Sequence, residues 1–187
     1  MITKYIGLEE IREGLEKVVT KDTVFVCVGS SKVTFDCFGP LMGKLLKERN
    51  VPYYGDYKYN VNAITMYDRL DQIYNEDNID NKNIIAIDAA VTDDPGWKNV
   101  IIMKEGLGVK PGAGLGKMFP IIGINSILLF TLTKDELKET MKHYRKELFI
   151  GRRNDLSNKE LIKEYAVIVA DMIEEIYNKA CQEVYTD

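Results

Sequence analysis

Two aspartates carry most of the chemistry that this sequence offers. Asp36 lies in VFVCVGSSKVTFDCFGPLMG, residues 24–43, and Asp88 lies in NIIAIDAA, residues 83–90. Val24, Phe25, Val26, Cys27 and Val28 form an apolar, β-branched run that suits a strand buried on both faces. Gly29, Ser30 and Ser31 break it, and a polar loop ends at Asp36. Gly39 and Pro40 then open a helix, where proline's missing N–H has no partner to lose. Asp88 stands near the end of a second buried strand. In a parallel sheet both carboxylates emerge at one edge, the edge where open α/β sheets bind ligands. Two carboxylates held close cannot both ionise easily. One pKa rises, so that one group acts as acid and the other as base, and such a pair can activate a water against an amide. The plainer alternatives are a helix N-cap for Asp36 and a loop carboxylate bonded to backbone N–H groups for Asp88.

A glycine-rich loop is the second candidate. GLGVKPGAGLGK, residues 106–117, holds Gly106, Gly108, Gly112, Gly114 and Gly116. Glycines permit positive φ and a close backbone approach to a ligand, and exposed N–H groups in such a loop bind a carbonyl or an oxyanion. Lys110 can neutralise an aspartate or hold a substrate carboxylate; a solvated loop lysine is the bland alternative. The loop matches neither a dinucleotide-binding glycine pattern nor a phosphate-binding loop ending in Gly-Lys-Ser/Thr.

Other side chains offer less. His143 is the sole histidine and falls on a charged helix, so the His-rich sites typical of zinc and nickel are not available. A Mg²⁺ or Ca²⁺ held by the two aspartates stays open as a weak option, and no cofactor is expected. Cys37 adjoins Asp36 but has no histidine near it in sequence to activate it; Cys27 reads as core. No Gly-x-Ser-x-Gly elbow exists for a serine nucleophile. Asp93 and Asp94 before Pro95 read as a turn, with Trp97 beside them.

The elements that must position these residues follow from periodicity. Leu8, Ile11, Leu15 and Val18 mark an amphipathic helix. A strand at 23–28, a helix at 39–49 with Leu41, Leu45 and Leu46 apolar, and a short strand at 51–54 follow. Ile64, Tyr67, Leu70 and Ile73 fall on one stripe of a helix over 61–74. Strands are expected at 83–90, 100–103 and 121–130. Thr133 begins a helix with Asp135 and Glu136 in its first turn, where the dipole favours anions. Ser157 caps a last helix, to about Val184, with Leu161, Tyr165, Ile168, Met172 and Ile176 as its buried stripe. This alternation predicts an α/β fold, a three-layer α/β/α sandwich with a mainly parallel central sheet.

The 187 residues suit one domain. A net charge of −4 without a basic stripe argues against a nucleic-acid groove. Three cysteines, Cys27, Cys37 and Cys181, do not read as a disulfide framework, which points to a reducing compartment. The first residues are charged and lack an apolar signal core, and no apolar run reaches membrane-spanning length. The expectation is a cytoplasmic protein with no membrane partner; the sequence leaves homo-oligomerisation open.

Three segments in order carry a resemblance: GSSKVTFDCFGPLMG at 29–43, IIAIDAA at 84–90 and VKPGAGLGK at 109–117. Together they resemble the YyaC-type sporulation proteins, which are similar in turn to the spore germination protease. The shared pattern is a glycine turn, polar residues, Thr-x-Asp and Gly-Pro, then an apolar strand ending Ile-Asp-Ala, then a Pro-Gly-Ala-Gly loop. It spans about residues 22 to 130. The resemblance implies a phosphorylase/hydrolase-type fold, shared with hydrogenase maturation proteases. It implies that Asp36 and Asp88 hold the positions of the germination protease's two functional aspartates. Lys110, Gly112, Ala113 and Gly114 would then shape the substrate cleft. A peptide or small spore protein would be the substrate, in the mother cell or the forespore. Phe35, Cys37 and Phe38 depart from the protease, which has Pro and Ala-Leu at these places. Asn62 stands where a histidine is expected. These departures motivate the alternative of a relative that binds such a peptide without cutting it.

Overall fold

A computed structural model describes residues 5–62, 64–76, 82–107, 122–147 and 156–182. Six strands form one sheet: β1 (Tyr5–Ile6), β2 (Thr23–Cys27), β3 (Tyr53–Tyr54), β4 (Asn83–Thr92), β5 (Ile101–Leu107) and β6 (Ile122–Thr133), in the order β1-β5-β6-β4-β2-β3. Five helices accompany it: α1 (Leu8–Val18), α2 (Phe38–Glu48), α3 (Met66–Asp71), α4 (Lys134–Glu147) and α5 (Leu156–Gln182). Strands β3, β2, β4 and β6 run parallel to one another, with Phe25 opposite both Tyr53 and Ile85, and Ile87 opposite Ile127.

Alternation along the strands sorts their side chains to two faces. Phe25, Cys27, Ile85, Ile87, Ile127 and Leu129 join α1, α2 and α5 in one apolar cluster. Val26, Val28, Ile84, Ala86 and Leu128 join Met66, Leu70 and Ile73 of α3 and its extension in another. The result is the expected three-layer α/β arrangement, with every central strand apolar on both sides.

Several details differ from the sequence-based expectations. Strand β5 is antiparallel to β6, and β1, which periodicity did not reveal, is antiparallel to β5. Residues 93–100 are too short for the crossover that a parallel return needs. Strand β5 therefore starts at the edge where β4 ends and runs back. Asp94 accepts from the Gly96 N–H at 2.8 Å, making the turn expected there. Strand β4 continues to Thr92, so Asp88 lies inside it, and the register shifts between Ala90 and Val91.

The stripes of two helices are also displaced. In α5 the buried residues are Ile162, Ala166, Val169, Ala170, Met172, Ile173 and Ile176, while Ile168 is exposed. Met172 and Ile176 of the expected stripe are thus buried and Tyr165 packs against the cluster, while Ile162, Ala166, Val169 and Ile173 carry the burial onto the adjoining face. Helix α3 begins only at Met66 and passes into a π-helical turn, Gln72–Glu76. Ile64 and Tyr67, expected inside, are 87% and 51% exposed. Asn62 instead closes a turn, its Oδ1 accepting from the Ile64 N–H at 2.9 Å. At α4 the expected start is a capping box: Thr133 N–H donates to Glu136 at 2.9 Å and Glu136 N–H to Thr133 Oγ1 at 3.2 Å. Among the described residues no helix is long and apolar enough to cross a membrane.

Candidate active site

The segment from β2 to α2 folds tightly over the end of the sheet. Val28 N–H donates to the Ile87 carbonyl at 2.7 Å, which extends the β2–β4 ladder by one residue. The chain then turns at Gly29, whose φ is +138°. A Cβ there would sit 2.2 Å from the Asp36 carbonyl oxygen, so only glycine fits. Ser30 N–H donates to that same carbonyl at 2.9 Å, closing residues 30–36 into a loop. A 3-10 turn, Thr34–Asp36, completes it. Thr131 Oγ1 donates to the Phe35 carbonyl at 2.8 Å and ties the turn to β6. Gly39 brings the first turn of α2 against β2, where a Cβ would meet the Val28 carbonyl at 1.9 Å.

This geometry decides what Asp36 does. No side chain caps α2, whose N-cap residue is Cys37. The helix-cap alternative for Asp36 is thus not realised. Burial pushes its carboxyl up to about 6, against a partial opposing pull from the Ser30 N–H. Asp88, in β4 opposite Leu128, is held well above the usual carboxylate range. Burial is the larger cause and the Asp36 charge adds to it, while the Ala89 N–H, donating to Asp88 Oδ1 at 2.8 Å, opposes both. The two carboxyl groups therefore feel each other. Both carboxyl groups are thus raised, and the Asp36 charge is one of the causes at Asp88. Such a pair has one base and one acid to offer.

The cysteines take packing roles. Cys27 is buried in the first cluster and its thiol is pushed far up by burial. Cys37 donates through Sγ to the Thr34 carbonyl at 3.0 Å, and burial raises its thiol as well. All three cysteines are free. Trp97 packs edge-on against Phe130, with ring centroids 5.9 Å apart. Among the described residues no group of three or more His, Cys, Asp or Glu side chains converges as a metal site would. Lys110, Gly112, Ala113 and Gly114 lie outside the described residues, as does the side chain of His143.

The sequence reading missed a third aspartate and the tyrosines around it. Asp56 is buried; its Oδ1 accepts from the N–H groups of Lys58 and Tyr59, each at 2.7 Å, and its Oδ2 from the Tyr53 hydroxyl at 3.2 Å. Burial alone would raise this carboxyl, but those donors, with Lys47, bring it below the ordinary value. The signal that marks the region is YYGDYKY at 53–59, four tyrosines around one aspartate. The region is joined to the Asp36 loop: Ser31 N–H donates to Asn60 Oδ1 at 2.9 Å, and Gly29 N–H to the Val61 carbonyl at 2.8 Å.

Residues 3–148 match the family described as "Protein of unknown function (DUF1256)". The chain is also similar to the Bacillus subtilis (strain 168) protein described as "Uncharacterized protein YyaC", at 34% identity over 125 residues. That alignment covers 63% of this chain and 58% of the relative, so the chain matches under two thirds of the relative's length.

Proposed function

The chain belongs to the DUF1256 family, and from that premise we propose that it is a peptidase-like hydrolase acting on a peptide bond of a spore protein. Asp36 and Asp88 form its acid–base pair. One observation carries the reading: two carboxyl groups at one end of adjacent parallel strands are both raised, and the Asp36 charge is among the causes at Asp88. Asp36 ionises first, near 6. In its carboxylate form it takes a proton from a water. The hydroxide so generated adds to the scissile carbonyl. Asp88, still protonated, delivers its proton to the leaving amine as the C–N bond breaks. Water is consumed, and the pair returns to its starting state when the proton taken by Asp36 passes to Asp88. The likeness of the three sequence segments to the germination protease supports peptide hydrolysis as the reaction and a spore protein as the substrate. It also supports a role for Lys110, Gly112, Ala113 and Gly114 in shaping the cleft.

The test is cleavage of a spore-protein extract, read as new termini by mass spectrometry. Asp36→Asn and Asp88→Asn should each lower the rate by about 10²- to 10⁴-fold, the usual contribution of one proton-transfer group. Unchanged cleavage in both variants overturns the assignment. The pH profile should rise through about 6 as Asp36 ionises and fall at higher pH as Asp88 loses its proton. The departures at Phe35, Cys37 and Phe38 favour a second reading, a module that binds a spore protein and leaves it whole. Binding without new termini would select it.

A further inference from the structure

The cleft beside β3 has no role in the acid–base chemistry above. It encloses about 360 Å³ and is lined by Tyr53, Tyr54, Tyr59, Val61, Arg69 and Ile73, among others. Tyr54, Val61 and Ile73 belong to the apolar cluster on the α3 face of the sheet. Asp88 shares strand parity with Ile84 and Ala86 of that cluster, so the cleft and the aspartate open on the same face. Val61 is the link: it lines the cleft, bridges Val28 in parallel fashion, and its carbonyl holds Gly29.

Three features indicate what the cleft accommodates. The first is exposed apolar surface in the stretch of chain that includes Tyr59 of the cleft wall. Tyr57, Tyr59, Ile64 and Tyr67 are 43%, 50%, 87% and 51% exposed, all within eleven residues of chain. Exposed apolar side chains gathered this closely mark interaction surfaces more often than single ones do. The second is charge. Lys58 Nζ lies 5.2 Å and the Arg69 guanidinium carbon 5.4 Å from the Tyr59 ring centroid. Arg69 also donates to Gln72 Oε1 at 3.0 Å. Among the described residues neither cation is in ion-pair contact with a carboxylate. Asp56, the one acid lining the cleft, is occupied by the Lys58 and Tyr59 N–H groups and the Tyr53 hydroxyl. A cationic rim in a chain of net charge −4 favours an anion. The third is the edge. Among the described residues strand β3 is outermost in the sheet and pairs with β2 on one side only. Its other side presents backbone groups to which an extended polypeptide can add.

We propose that this cleft is a docking subsite for an extended polypeptide segment in which a carboxylate side chain and an apolar one stand two residues apart, and so on one face. The carboxylate meets Arg69 over the Tyr59 ring, and the apolar side chain on the same face of the segment rests on Ile64. The backbone of the segment runs along β3 toward Asp36 and Asp88. Only the last point rests on the hydrolase reading; docking stands or fails without it.

The experiment is capture of two synthetic octapeptide pools by the immobilised full chain. The pools are random except for two fixed central positions two residues apart, Glu and Leu in one (the Glu-Leu pool) and Lys and Leu in the other (the Lys-Leu pool). The expected result is about tenfold greater retention of the Glu-Leu pool, the scale of one charge-assisted hydrogen bond. Arg69→Gln should bring the ratio to about one, and Arg69→Lys should restore part of it, since it keeps the charge without the fork. Ile64→Ser, at a position too exposed to matter for folding, should weaken Glu-Leu retention. Asp36→Asn should leave the ratio unchanged, which separates docking from cleavage. Equal retention of both pools by the native chain overturns the proposal, as does a ratio unaltered in a folded Arg69→Gln variant or Glu-Leu retention unaltered in Ile64→Ser. A concentration-dependent dimer that blocks the cleft and excludes both pools would also overturn it, in favour of self-association.

Discussion

Asp56 and the Asp36–Asp88 pair lie on adjoining loops and strands, yet their surroundings drive them in opposite directions. Asp56 is buried among donors: two backbone N–H groups at 2.7 Å and a phenol at 3.2 Å. Its charge is solvated by the protein, so its carboxyl is held below the ordinary value. Asp36 and Asp88 are also drawn from water, but each has a single N–H to oppose the burial, and Asp88 also feels the Asp36 charge. Their carboxyl groups rise. Burial as such therefore does not mark a reactive aspartate. What marks it is burial that the fold leaves uncompensated. Asp56 holds a turn as a carboxylate on its donors, whereas burial pushes Asp36 and Asp88 toward their neutral forms.

The strongest way to break this contrast is to remove Asp56. Asp56→Ala leaves the Lys58 and Tyr59 N–H groups without their acceptor and should cost about 2–4 kcal/mol in denaturant unfolding. A loss under about 1 kcal/mol would mean that water replaces the carboxylate and that Asp56 is less internal than its contacts indicate. A smaller effect of opposite sign is expected from the pair. Because the folded pKa values of Asp36 and Asp88 are raised, their contribution to stability is full below the unfolded value near 4. It is lost as pH rises through the folded one, about 6 for Asp36. Asp36→Asn should therefore stabilise the fold by about 1 kcal/mol at about pH 7.5, a figure reduced for the solvent that reaches this half-buried group. It should have almost no effect at about pH 4. Equal effects at both pH values would show that the charge is not the cause. Asp56 works in the other window: its contribution is present above the unfolded value and disappears as pH falls through the lowered one. The finest test is Tyr53→Phe, which removes one donor from Asp56. It should cost about 0.5–1 kcal/mol and shift the Asp56 titration, followed by NMR, upward toward that of the pair.

The candidate aspartates were legible in the sequence because each follows a run of apolar, β-branched residues that has one reasonable fate, a buried strand. Gly29 and the Gly39-Pro40 pair were legible for a similar reason: few residues tolerate the contacts they make. The tyrosine cleft was not read, although YYGDYKY is conspicuous once seen. Its segment has neither a helical nor a strand period, and its importance arises from Asp56 turning the chain so that β3, Val61 and α3 face each other. The stripe of α5 was read in part, correctly at Met172 and Ile176 and wrongly at Ile168, because a long helix with many apolar positions leaves its orientation to whatever it packs against.

The sequence by itself determined the strands β2, β4 and β6, the amphipathic helices that cover them, and the layered class they must form. Apolar periodicity is a local property, and burial is its only stable outcome. Tertiary structure decided the rest. It set the antiparallel return of β5, because a short connection has to turn back at the edge where it begins. It left Ile64 and Tyr67 on the surface, because α3 starts late and rolls about its axis to bury Met66. It also assigned the three aspartates their different states, because a carboxylate's pKa depends on which donors and charges distant parts of the chain bring within reach.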